Sequence, residues 1–123
     1  MANSPQSFIV GLDNGGTMNN ATVLDPSGHF LVEHMLERPS RVREGPDRAI
    51  ESLAASFDQV LEVTGVGRAA VSAVGLDTPG PASADGVLSS KGATNFGHPG
   101  WRGFNIRAAL EEELAFYRRE LRL

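Results

Sequence analysis

Gly11-Leu12-Asp13-Asn14-Gly15-Gly16-Thr17 decides the fold of this chain. The apolar run Phe8-Ile9-Val10 leads into it, and a second run, Ala21-Thr22-Val23-Leu24, follows and stops at Asp25. Two readings are open. One is a plain β-hairpin whose turn contains Gly-Gly, and such turns are common. The other is a phosphate-binding hairpin. Glycines let backbone N–H groups approach an anion closely because no Cβ intervenes. Thr17 adds a hydroxyl donor, and Asp13 can hold a metal ion and its waters.

Moving outward, strands are predicted over about 7–13 and 20–25, with a turn at Pro26-Ser27-Gly28. Residues 29–37 alternate and predict a third strand, with His34 on its drier face. Gly45-Pro46-Asp47 reads as a helix start, with Pro46 in the first turn and Asp47 at the positive dipole end. Ile50, Leu53, Ala54, Phe57, Val60 and Leu61 then form one apolar stripe, and Gly65 or Gly67 closes the helix. Residues 69–76 are almost all small or β-branched, which predicts a buried parallel strand. The order is βββαβ with a right-handed crossover.

That strand runs into Asp77-Thr78-Pro79-Gly80-Pro81. Ligands of open α/β sheets gather at the carboxyl ends of strands, so Asp13 and this loop share an edge. A rigid two-proline turn is the bland alternative. Residues 89–102 form a long glycine-rich loop, a kind more often functional than idle. Its Ser89, Ser90, Lys91, Thr94 and Asn95 suit a ligand with many hydroxyls. Asn105 is a good N-cap, and Ile106, Leu110, Leu114, Tyr117 and Leu121 repeat at helical spacing.

Composition narrows the function classes. The chain has 123 residues, 41% apolar and 21% charged, which is enough for one domain with a core. Eleven basic and 15 acidic residues give a net charge of −4, with no basic block for nucleic acid. There is no cysteine, which excludes disulfides, thiolate zinc sites and a Cys nucleophile, and fits a cytoplasmic protein. No run approaches transmembrane length, so no membrane partner is expected. No Gly-Lys-Ser/Thr follows a glycine loop, so a Walker-type nucleotide site is excluded.

Three motifs together carry a resemblance: Asp13-Asn14-Gly15-Gly16-Thr17, Gly75-Leu76-Asp77-Thr78-Pro79-Gly80-Pro81 and Pro99-Gly100-Trp101-Arg102-Gly103-Phe104-Asn105-Ile106-Arg107. In this order and spacing the chain resembles the N-terminal lobe of the ROK family of repressors, open reading frames and sugar kinases, over about residues 8–114. The resemblance implies an α/β fold of the actin-like ATPase class: a ribonuclease-H-like lobe, βββαβ then a loop and a C-terminal helix, on a mixed sheet. It implies ATP and Mg²⁺ as cofactors and a hexose or amino sugar as substrate. Asp13, Gly15, Gly16 and Thr17 match the family's ATP-phosphate turn, with Asp13 also the Mg²⁺ position. Gly80, Thr94 and Asn95 match its sugar side. The family usually has a small or apolar residue where Asn14 stands and a lysine where Met18 stands, so one cation is missing here.

Residues 1–7 read as a disordered leader and 8–123 as the lobe. After Leu114 the family's buried strand and catalytic aspartate have no counterpart, so the chain reads as truncated, without its second lobe. The resemblance therefore implies a glucokinase-like N-terminal lobe that is inactive alone. The alternatives are the sugar-sensing lobe of a ROK repressor, or a non-functional remnant. Such repressors carry a helix-turn-helix domain before the first strand, where this chain has only about seven residues. Without a fifth strand, the fourth would keep an open apolar edge and associate with other copies.

Overall fold

The structure is a computed structural model that describes residues 7–78, 83, 85–87, 98–114 and 121–122. Strands β1 (Phe8–Asn14) and β2 (Met18–Leu24) form the expected hairpin. Strand β3 (Leu36–Pro39) follows, then helix α1 (Pro46–Thr64), strand β4 (Val71–Asp77), helix α2 (Ile106–Leu114) and strand β5 (Leu121–Arg122). The sheet order is β3-β2-β1-β4-β5. β1 runs antiparallel to β2 and parallel to β4, so the sheet is mixed.

The strand period explains which side is core. On β1, Val10 and Leu12 are buried, whereas Ile9 on the opposite face is exposed. In register beside them, Val74 and Leu76 of β4 are buried as well. α1 covers this face with its stripe of Ile50, Leu53, Phe57, Val60 and Leu61. Pro46 starts the helix where its missing N–H costs nothing. Gly65 ends it at φ 74°, donating its N–H to Leu61 O at 2.9 Å. α2 adds Ile106, Leu110 and Leu114 to the same core. Its cap is the one foreseen: Asn105 Oδ1 accepts from Ala108 N at 2.9 Å.

Three expectations need correction. The third strand does not run over 29–37. Asp25 Oδ1 accepts from both Ser27 N and His29 N, and closes a tight turn instead. Phe30 then makes one bridge to Leu24, and pairing resumes only at Leu36 with Ala21. The returning chain spends residues 30–36 on a stretch that β2 covers from 24 to 21, so the surplus bulges out. Alternation therefore loses its meaning there: Phe30, Leu31, His34 and Met35 are all exposed, and His34 is on no dry face.

The fourth strand starts at Val71 and not at 69, because residues Arg68–Ala70 form a short 3₁₀ turn. A fifth strand does exist. Leu121 and Arg122 pair in parallel with Val74 and Gly75, so the outer edge of β4 is partly covered. Leu121 thus belongs to a strand, although its spacing continues the α2 stripe. One apolar residue at helical spacing cannot outweigh the unpaired N–H and C=O groups of an edge strand. Tyr117 of that stripe, residues 1–6 of the leader and most of the 89–102 loop lie outside the described residues.

Candidate functional site

The hairpin turn is closed by Gly15 N donating to Met18 O at 2.9 Å. A Cβ on Gly15 would stand 2.4 Å from that same carbonyl oxygen. Glycine is therefore required at 15 by the hairpin itself. Neither Gly15 nor Gly16 takes a positive φ. At the tip, Thr17 is exposed and Gly16 half-buried. Thr17 O accepts from Ser40 N at 2.9 Å, which ties the tip to the end of β3. Among the described residues, the N–H groups of Gly16 and Thr17 donate to no backbone carbonyl. Two free amides and a hydroxyl at a fixed turn suit an anion of phosphate type.

Asp13 lies on the sheet face away from α1, half-buried. Its register neighbours are Asp77 on β4 and Asn20 on β2. Adjacent strands are about 4.8 Å apart, so two carboxylates sit side by side at the carboxyl ends of a parallel pair. Their mutual repulsion is relieved by a cation. Asp13 and Asp77 thus fit a hydrated magnesium ion, although among the described residues no group of three or more acids and histidines forms a metal cage. Asp77 carries no assigned role in the sequence reading. Its motif was visible, but strand register, which puts it level with Asp13, is not written in either motif.

Gly80, Thr94 and Asn95 lie outside the described residues. The chain that follows them is firmly held. Trp101 is 1% exposed and donates its Nε1–H to Val42 O at 2.7 Å. It also meets Phe104 edge-on, with centroids 5.3 Å apart. His98 Nδ1 accepts from Gly100 N at 3.0 Å, and its ring lies against Gly45, where a Cβ would come within 3.0 Å. Gly45 has φ 103°, a second reason for glycine. His98 is thus a loop clasp on the start of α1. A groove of about 580 Å³ lined by Asp47, Ile50, Phe104 and Glu112 opens between α1 and α2. None of the hairpin residues lines it.

One row of side chains was missed altogether. On the α1 side of the sheet, Asn14, Asn19 and Arg38 stand in register across β1, β2 and β3. Asn14 and Asn19 are fully buried. Asn19 Nδ2 donates to Ser52 Oγ at 3.2 Å, and Ser52 Oγ donates to Pro39 O. Yet both polar atoms of Asn14, Asn19 Oδ1, Arg38 Nε and the nearby Ser40 Oγ are buried without a partner.

This is the lobe of an α/β protein of the actin-like ATPase class. Its fold neighbours are ROK sugar kinases, and the chain corresponds to an N-terminal lobe of that family. The ROK hexokinase from Thermus thermophilus is 33% identical over 94% of this chain, with a TM-score of 0.73. An inorganic polyphosphate/ATP-glucomannokinase from Arthrobacter sp. strain KM is 25% identical over 89% of the chain, with a TM-score of 0.66. A ROK family glucokinase from Streptomyces griseus, solved with glucose and AMPPNP, shares the fold at 20% identity, 95% coverage and a TM-score of 0.71. The chain spans 34%, 41% and 32% of these three proteins' own lengths. No family model and no curated protein matches the sequence. Among the described residues, no helix is long and apolar enough to cross a membrane.

Proposed function

We propose that this chain is the phosphate-side lobe of an ATP-dependent hexose kinase. The observation that carries the reading is the hairpin edge: free Gly16 and Thr17 amides above the level pair Asp13 and Asp77, in a fold shared with a hexokinase. In this reading, the Gly16 and Thr17 amides and the Thr17 hydroxyl hold phosphate oxygens. Gly15 keeps the turn tight enough to present them. Asp13, with Asp77 beside it, holds magnesium through its waters. Gly80, Thr94 and Asn95 orient the sugar. When bound, ATP supplies the phosphoryl group that passes to a sugar hydroxyl.

Phosphoryl transfer needs a held phosphate, a metal and a base at the accepting hydroxyl together. The residues named supply parts of the first two. Positioned base catalysis alone is worth ~10²–10⁴-fold, so the 123-residue chain by itself turns over no sugar at a useful rate. Asp77, at the carboxyl end of β4, is an acid that would have to substitute as base. A coupled ADP-release assay on the isolated chain, over hexoses and amino sugars, stays silent. Turnover that vanishes in Asp77→Asn would reverse this.

The reading is tested in a chimera that joins residues 8–114 to the remainder of the Thermus thermophilus hexokinase. Hexose-dependent ADP release is the expected result, lost in Asp13→Asn. Asn95→Ala weakens sugar binding about ten- to a hundredfold, the usual cost of a lost buried hydrogen bond. A folded chimera that releases no ADP with any hexose overturns the proposal.

A further inference from the structure

A cavity of about 330 Å³ opens between the end of β3 and α1, lined by Arg38, Pro39, Arg41, Glu51, Ser52 and Ala55. It lies on the helix side of the sheet, whereas Asp13 and Asp77 lie on the other side. The hairpin site does not account for it. We propose that this cavity is a second anion site, taking a phosphate-class ligand with Arg38 as its main cation.

Three observations converge on this. Arg38 is half-buried, its Nε has no contact with solvent, and no hydrogen bond or ion pair satisfies it among the described residues. A guanidinium cannot shed its charge by deprotonating, so its buried Nε–H is left without an acceptor until an anion meets it. The second is a neighbouring hydroxyl. Ser52 in the lining is already committed to Asn19 and Pro39 O, but Ser40, between the lining residues Pro39 and Arg41 in sequence, has its Oγ buried and unpartnered, and a hydroxyl can donate to an oxyanion.

The third is the rim. Arg41 is the one non-glycine residue with positive φ among the described residues, at 62°. Such a backbone persists only where its surroundings enforce it, and strain of this kind gathers at ligand clamps. Glu44 fixes the Arg41 guanidinium in a fork, at 2.9 Å to Nε and 2.8 Å to Nη2. Glu51 also lines the cavity, but Arg48 engages its carboxylate at 3.1 Å. Of the two guanidinium groups that line the cavity, Arg41 is committed to Glu44 and Arg38 is left to meet an anion, while Glu51 is paired with Arg48. Planar guanidinium forks match phosphate oxygens better than they match chloride.

The test uses the 123-residue chain and inorganic phosphate. Thermal midpoints are measured with phosphate and with sodium chloride at equal ionic strength. Phosphate at tenfold excess over its Kd raises the midpoint by about 5 °C, and chloride does not. Arg38→Met keeps the stem, removes the unpaired charge, melts no lower than the parent and loses most of the phosphate shift. Thr17→Ala, at the hairpin, keeps the shift. ATP and tripolyphosphate are titrated in parallel. Competition with orthophosphate assigns the site to the tail of a larger phosphate, and absence of competition assigns it to free phosphate. The proposal is overturned by an equal response to chloride, by a shift as large in Arg38→Met as in the parent, or by one that disappears in Thr17→Ala. The last result would place the anion at the hairpin and leave the kinase reading standing.

Discussion

Two cross-strand rows on the same face of the sheet, one pleat apart, are built from opposite materials. Leu12, Ala21 and Leu36 stand in register and make an apolar row. Asn14, Asn19 and Arg38 stand next to it and make a polar row, under the same helix. The first row is what a packed α/β lobe requires. The second contains five buried polar atoms without partners, counting Ser40 Oγ and both atoms of Asn14 but leaving one amide oxygen as the sole orphan of Asn19. An unsatisfied buried polar group costs about 1–3 kcal/mol. A fold does not gain from such a row, and the row borders the hairpin tip and the proposed anion cavity beside Arg38.

The sharpest way to break this contrast is to weaken the apolar row. Leu12 is 2% exposed and packed beneath α1. Leu12→Ala leaves a cavity and costs about 2–5 kcal/mol, read as a lower midpoint in urea at unchanged m. A loss under 1 kcal/mol would mean that this row carries little of the core. Gly15→Ala comes next. Its Cβ must displace the Met18 carbonyl that closes the turn, a steric insertion worth about 1–3 kcal/mol. The loss appears in the same titration, and an unchanged midpoint would show that the hairpin opens freely.

In the polar row the sign reverses. Asn14→Val removes two unpartnered polar atoms and leaves a β-branched residue in a strand, which suits it. Stability is expected to rise by about 1 kcal/mol. A drop of that size instead would show that the Asn14 amide is satisfied by an ordered water, and that the row is a built network.

These rows also show what the sequence could and could not tell. The hairpin, α1 with its Pro46 start and a stop at Gly65 or Gly67 that the structure assigns to Gly65, and the Asn105 cap were legible because each rests on local chemistry within a few residues. So was the carboxyl-edge placement of Asp13. Cross-strand partners were not. Asn14, Asn19 and Arg38 are far enough apart in sequence that only the register joins them, and the level pairing of Asp13 with Asp77 depends on it too. The false third strand has a related cause. The alternation from Phe30 to Leu36 is real, but the Asp25 turn spends it in a bulge. β5 was invisible because its Leu121 obeys the helical period of α2, and edge pairing is a demand of the sheet and not of the segment.

The smallest predicted effect concerns a polar group of the opposite kind. Asp25 is half-buried at a surface turn, and its carboxylate is satisfied by the backbone, with His29 N and Ser27 N each 2.9 Å from Oδ1. The hydrogen bond from His29 leads the causes that hold its carboxyl below the usual range, and the His29 charge, 3.7 Å away, acts in the same direction. A depressed folded value means the proton binds the unfolded chain more readily. The contribution of Asp25 is therefore fully present above the ordinary carboxylate range, and is lost as the pH falls through the folded value. In Asp25→Asn that part of the acid dependence disappears, while stability at neutral pH falls only slightly because water screens the site. Urea midpoints from pH 7 down to pH 3 measure it. The wild-type curve should drop more steeply than the variant, and the two should converge at the acid end. Parallel curves would mean that the turn is held by its backbone alone, and that Asp25, like Asn14, is a polar group the fold could do without.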